Sequence, residues 1–118
     1  MTEYATTLAE IERARERIAP FAWRTPVVPL HDLSAACGRS IVAKCECMQR
    51  TGSFKVRGAA NAVWALSDEA AARGVLTHSS GNHGRALAYA ARSRGIPAHV
   101  VMPADTSPVK RAAVLELG

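Results

Sequence analysis

The stretch from Val75 to Met102 most constrains what this chain can fold into. Val75-Leu76-Thr77-His78 is a short β-prone run, and Ser79-Ser80-Gly81-Asn82-His83-Gly84 is a turn of small polar residues. His83, Ala86, Leu87, Ala90 and Ala91 then recur at helical spacing. Gly95-Ile96-Pro97 supplies a glycine stop followed by proline, and Ala98-His99-Val100-Val101-Met102 is β-prone again. Strand, helix and strand in this order predict a βαβ unit and a parallel sheet. Such a sheet needs cover on both faces, so the expected class is α/β with helices on either side. The turn at 79–84 also has a chemical consequence. It aims N–H groups and hydroxyls at one point near the positive end of a helix, a natural grip for a carboxylate or phosphate.

A second helical stripe, Val56, Ala59, Ala60, Val63 and Trp64, follows Gln49-Arg50-Thr51-Gly52-Ser53-Phe54-Lys55. Thr51 to Ser53 read as a turn with two available caps, of which Ser53 is the better placed. Lys55 then falls in the first turn of the helix. A lysine that served helix stability would sit at the other end, where the macrodipole favours a cation. The positive end of the helix, with partial burial beside Phe54, disfavours the ammonium and favours the neutral amine that attack on a carbonyl requires. Chemistry explains Lys55 better than charge does.

The rest of the chain falls into short elements. Thr7-Leu8-Ala9-Glu10 is a capping box opening a helix with Leu8, Ile11 and Ile18 on one side, ended by Pro20. Trp23, Thr25-Pro26 and Val27-Val28 point to extended backbone. His31 to Gly38 reads as a short helix, and Ile41 to Glu46 as a strand. Ser67-Asp68-Glu69 caps a helix that ends at Gly74, and Ser107-Pro108 opens a last helix running to Leu117.

Charge and cysteine content narrow the function classes. A net charge of +5 invites a nucleic-acid partner. The cations are scattered, though: Arg13, Arg15 and Arg17 share a helix with Glu10, Glu12 and Glu16, and Lys110 and Arg111 lie near Glu116. A solvated face fits them better than a nucleic-acid stripe. Cys45 and Cys47 would share one side of a strand, Cys37 stands apart, and no set has metal-ligand spacing. Buried, reduced thiols are expected, with no metal. No apolar stretch approaches the ~20 residues of a membrane span, so a cytoplasmic protein without a membrane partner is expected.

The two helix-opening motifs, Thr51-Gly-Ser-Phe-Lys55-Val-Arg-Gly-Ala59 and Ser79-Ser-Gly-Asn-His-Gly84, lie about 25 residues apart. In this order they resemble the fold-type II pyridoxal-phosphate enzymes, in the branch of threonine/serine dehydratases (ammonia-lyases) and serine racemases. Thr25-Pro26, Lys44-Cys45-Glu46 with Gln49, and Pro97 to Pro103 agree with the same resemblance, which covers roughly residues 20–118. It implies a partial α/β fold like that of the tryptophan synthase β chain. Residues 1–73 would begin the large cofactor-binding domain, and 74–118 would start the smaller one. The family continues well beyond Gly118, so the chain reads as an N-terminal piece, inactive by itself.

For chemistry, the resemblance implies pyridoxal 5′-phosphate in Schiff-base linkage to Lys55, which also takes the α-proton. Ser79, Ser80, Asn82 and His83 would grip the substrate carboxylate, with Asn82 also reaching the ring hydroxyl of the cofactor. Phe54 would pack beside the cofactor. Ser80 holds the position that exchanges a proton on the opposite face in racemases. The implied reaction is elimination of water from L-threonine or L-serine, giving a 2-oxo acid and ammonia, in an enzyme that is a homo-oligomer at full length. A serine or amino-acid racemase is the alternative, and a non-catalytic remnant a second.

Each assignment has a plainer counterpart. Ser80 and Asn82 could cap the helix, His83 could bond locally, and Phe54 could be core. Gly81-Asn-His-Gly84 has the form of an RNA-binding KH loop, but that loop joins two helices and carries basic residues. Walker and dinucleotide-binding glycine patterns are both missing from the sequence.

Overall fold

The structure, a computed structural model, describes residues 6–118. Its elements are α1 (Leu8–Ile18), β1 (Val27–Pro29), α2 (His31–Cys37), β2 (Val42–Lys44), α3 (Lys55–Ala65), α4 (Asp68–Ala72), β3 (Val75–His78), α5 (Asn82–Arg94), β4 (Ala98–Val101) and α6 (Pro108–Leu115). Single 3₁₀ turns at Glu46–Met48 and Arg50–Gly52 lie between β2 and α3. The helix signals act as their chemistry requires. Thr7 and Glu10 form the reciprocal capping box of α1, while the Ser67 and Ser107 hydroxyls accept from the N–H groups of Ala70 and Lys110.

β3 and β4 pair in parallel, with Val75 opposite Ala98 and His78 opposite Val101, and α5 makes the crossover between them. Gly74 starts this unit at φ 77°, where a Cβ would stand 2.7 Å from the Pro97 carbonyl oxygen. That oxygen instead accepts from the Val75 N–H at 2.9 Å, so a side chain there would break the first rung of the pairing. Along both strands inward and outward residues alternate. Val75, Thr77, Ala98 and Val100 are half-buried, and Leu76, His78, His99 and Val101 are exposed on the other face. The cover in this chain is therefore on one face. β1 and β2 form a separate antiparallel pair, Val27 opposite Lys44.

The core is the seam between α3 and α5. Val56, Ala59, Ala60 and Val63 pack with Ala86, Leu87 and Ala90, and Ile18 of α1 closes the side. Alanine on both faces lets the helix backbones come close; Val56 and Val63 are the largest side chains wholly removed from water. The last turns of the two helices are tied together. Trp64 Nε1 donates to Ser93 Oγ at 3.2 Å, and Arg94 donates to the Val63 and Leu66 carbonyls at 2.6 and 3.0 Å. Arg94 thereby satisfies carbonyls that the end of α3 leaves open, where a cation is also favoured. The helices have 11 and 13 residues and pack along their length. Both N-termini consequently open at the same end.

Several expectations give way to tertiary contacts. β2 stops at Lys44, because Glu46 turns away to meet Thr25 and Arg57; Cys45 and Cys47 thus sit at a 3₁₀ turn, not on a strand. The thiols are not buried: Cys37 and Cys47 are exposed and Cys45 half-buried. On α1 only Ile18 enters the core, while Leu8 and Ile11 remain exposed. Ser53 does not cap α3. Its backbone is extended and its hydroxyl turns inward, leaving the start of the helix at Phe54 without a side-chain cap.

Candidate active site

At the shared end of α3 and α5, Lys55 is exposed and its Nζ lies 5.1 Å from the centroid of the Phe54 ring. Phe54 is 58% exposed, so the expected burial beside Lys55 is not there, and Phe54 is not core. The approach to Lys55 is unusual backbone. Thr51 and Gly52 are both left-handed, at φ 63° and 75°, and Thr51 is the one non-glycine residue with positive φ among the described residues. Thr51 Oγ1 and Ser53 Oγ are buried and find no hydrogen-bond partner among the described residues. Strained backbone and orphaned hydroxyls are costly in a fold and concentrate where function demands them.

The loop is anchored from its flanks. Gln49, 3% exposed, accepts from the Trp23 N–H at 2.8 Å and donates to the Trp23 carbonyl at 2.8 Å, so its amide mimics a strand partner. Arg57 makes two bonds of 2.8 Å to the Glu46 carboxylate and a third of 3.1 Å to the Trp23 carbonyl. Thr25, itself buried, donates its hydroxyl to Glu46. The Arg57 bonds hold the Glu46 carboxyl down at about 2, and burial only partly opposes them. Arg50 is turned inward, its guanidinium 5.0 Å from the centroid of the Trp23 ring and bonded to the Tyr89 hydroxyl at 3.0 Å.

On the other side of the end, Ser79 leaves the C-terminal end of β3 and its hydroxyl accepts from the Gly81 and Gly84 N–H groups at 3.2 and 3.1 Å. Ser79 thereby satisfies an N–H of the first turn of α5 from outside the helix, whose N-cap residue is Gly81. The side chains of Ser80 and Asn82, the other candidate caps, are exposed, as is that of His83. Gly84 brings the first turn of α5 down onto the sheet, and the turn joins a strand to a helix. Phe54 and Lys55 thus stand at the start of α3, and Ser80, Asn82 and His83 at the start of α5, the helix packed along it. A site outside the carboxyl ends of parallel strands is where open α/β sheets bind ligands.

The profile of the family described as "Pyridoxal-phosphate dependent enzyme" matches residues 18–118. The chain belongs to this family. A serine racemase of Arabidopsis thaliana is 47% identical over 116 residues, which are 98% of this chain and 35% of that protein. A beta-hydroxyaspartate dehydratase of Paracoccus denitrificans is 47% identical over 115 residues, 98% of this chain and 36% of that protein. The structure of maize serine racemase superposes with a TM-score of 0.91 at 47% identity, over 98% of this chain and 35% of that one. The chain spans about a third of the length of these relatives. No helix among the described residues is long and apolar enough to cross a membrane.

The cofactor of this pyridoxal-phosphate family suits the residues gathered here. Its aldehyde needs a free amine, its ring an aromatic neighbour, and its ring hydroxyl a hydrogen-bonding side chain. Lys55, Phe54 and Asn82 are exposed with those groups, and Ser53, whose hydroxyl has no partner among the described residues, lies two residues before the amine. What the sequence reading missed is the Glu46–Arg57 pair and the Gln49 clamp. A signal for the first was present. Arg57, like Lys55, is a cation at the positive end of α3, and a cation there calls for a nearby anion.

Proposed function

We propose that the protein works at the α-carbon of a small β-hydroxy amino acid, expelling the hydroxyl of L-serine or L-threonine to give a 2-oxo acid and ammonia. The observation that carries this reading is the common opening of α3 and α5, which sets an amine on one helix start and free polar side chains on the other. Bound pyridoxal phosphate would supply a sink for the electron pair left when the α-proton departs. Lys55 would hold the cofactor by its amine and would serve as the general base for that proton. Asn82 would donate to the ring hydroxyl, and Phe54 would pack on the ring. The substrate carboxylate sits at the N-terminus of α5, held by Ser80, Asn82 and His83, while Ser79 keeps the backbone N–H groups of Gly81 and Gly84 in place. In this reading Ser79 shapes the grip and does not belong to it.

A second reaction at the same site, racemisation, is favoured by the serine racemases that this chain resembles at 47% identity. It needs a second proton carrier on the face opposite Lys55, and the exposed Ser80 hydroxyl is that group. The deciding experiment uses the protein at the length of its relatives, loaded with cofactor. L-Serine and L-threonine are supplied in turn, and 2-oxo acid and D-amino acid are measured together. Neither product from either substrate would refute the reading.

A further inference from the structure

We propose that the Glu46–Arg57 pair is a positioning clamp for Lys55, setting the first turn of α3 so that the amine meets the cofactor. The inference rests on Lys55 being the attachment residue. α3 begins at Lys55 behind Phe54, an N-cap that makes no side-chain bond, and the residues leading into it include left-handed Thr51 and Gly52. No side-chain cap therefore fixes where its first residues stand.

Arg57 fixes them from the side. Residues two apart on a helix point to different faces, so Arg57 can be held without touching Lys55. Its guanidinium makes two parallel bonds to Glu46, which set orientation as well as distance, and a third to the Trp23 carbonyl. Glu46 is held in turn by the Thr25 hydroxyl, and Lys44 Nζ lies 3.9 Å from it. Gln49 grips the same Trp23 backbone through both ends of its amide. Three separate segments, 23–25, 46–49 and the first turn of α3, become one block that ends two residues from Lys55. The pair also neutralises one of two neighbouring cations at the positive end of the helix. Lys55 is left as the unpaired one among the described residues.

The test reads where the cofactor attaches and does not depend on turnover. The protein at the length of its relatives is exposed to limiting pyridoxal phosphate and reduced with borohydride. Label on the Lys55 peptide is then compared with label on the exposed Lys110 peptide by mass. Glu46→Gln and Arg57→Lys should each lower the Lys55-to-Lys110 ratio by ~10–100-fold, the scale of a reacting group displaced by up to an ångström. Thr25→Val keeps the shape and removes one contact to Glu46; it should lower the ratio by a smaller factor, and it serves if the charge variants do not fold. An unchanged ratio, even with a lowered melting temperature, would reduce the pair to a structural brace and overturn the proposal. A different failure, no preference for Lys55 in the unsubstituted protein, would refute the attachment reading and the clamp with it.

Discussion

Gly84 lies against Val100 so closely that a Cβ on it would stand 2.8 Å from Val100 Cγ1 and 3.2 Å from the Ser79 carbonyl oxygen. The helix that carries Asn82 and His83 can sit on the sheet only because this position has no side chain. Gly84→Ala should therefore destabilise the fold by ~1–3 kcal/mol, the usual cost of overpacking, despite the better helix propensity of alanine. Denaturant unfolding measures it. Unchanged stability would mean that Val100 swings aside freely.

Lys55 is exposed and carries no ion pair among the described residues, so replacing it should barely affect folding. Lys55→Arg should change stability by less than ~0.5 kcal/mol. It should nonetheless abolish cofactor attachment, because a guanidinium stays protonated and cannot condense with an aldehyde. Borohydride reduction followed by peptide mass decides it; label that persists on another lysine would move the attachment point.

Glu46 gives the fold an acid-sensitive contact. Its carboxyl is held at about 2, against an ordinary value of 4.5, chiefly by Arg57 and also by Thr25. A depressed carboxyl contributes stability that is fully present above its unfolded value. That stability drains away as pH falls from about 4.5 towards about 2. With Arg57 partly exposed, the contribution is ~1–2 kcal/mol. Glu46→Gln should lower stability at neutral pH and flatten the slope of stability against pH between those limits. An identical slope in the variant would assign the acid limb to other carboxylates.

Local signals and long-range contacts divide what could be read in advance. Thr7, Ser67, Gly95 and Ser107-Pro108 mark helix ends by chemistry that acts within a turn, and the βαβ unit follows from the period of its apolar residues. The place of Lys55 and of the 79–84 turn at helix starts was legible for the same reason. Ser53 stands where a cap would, yet its backbone is extended after left-handed Thr51 and Gly52 and its hydroxyl is buried. Glu46 ends β2 early through a partner 11 residues away and a hydroxyl 21 residues back, which no periodicity announces. Ser79 rather than Ser80 steadies the start of α5, because its hydroxyl reaches the Gly84 N–H, five residues on.

Ser80 separates the two reactions open to this site. It is exposed beside the start of α5 and makes no hydrogen bond among the described residues, so its hydroxyl is not committed to capping. Ser80→Ala should accordingly leave stability within ~0.5 kcal/mol of the parent. If Ser80 carries the proton on the face opposite Lys55, the variant should lose racemisation and any turnover of D-serine. Elimination from L-serine draws its α-proton from the Lys55 side and should keep most of its rate. A general acid or base contributes ~10²–10⁴-fold, so D-serine formation should fall by at least the lower figure. Both products are measured in one reaction mixture, 2-oxo acid by its carbonyl and D-serine by chiral separation, so that loading of cofactor cancels. Equal loss of the two activities would instead assign Ser80 to holding the substrate carboxylate, since both reactions need that contact equally.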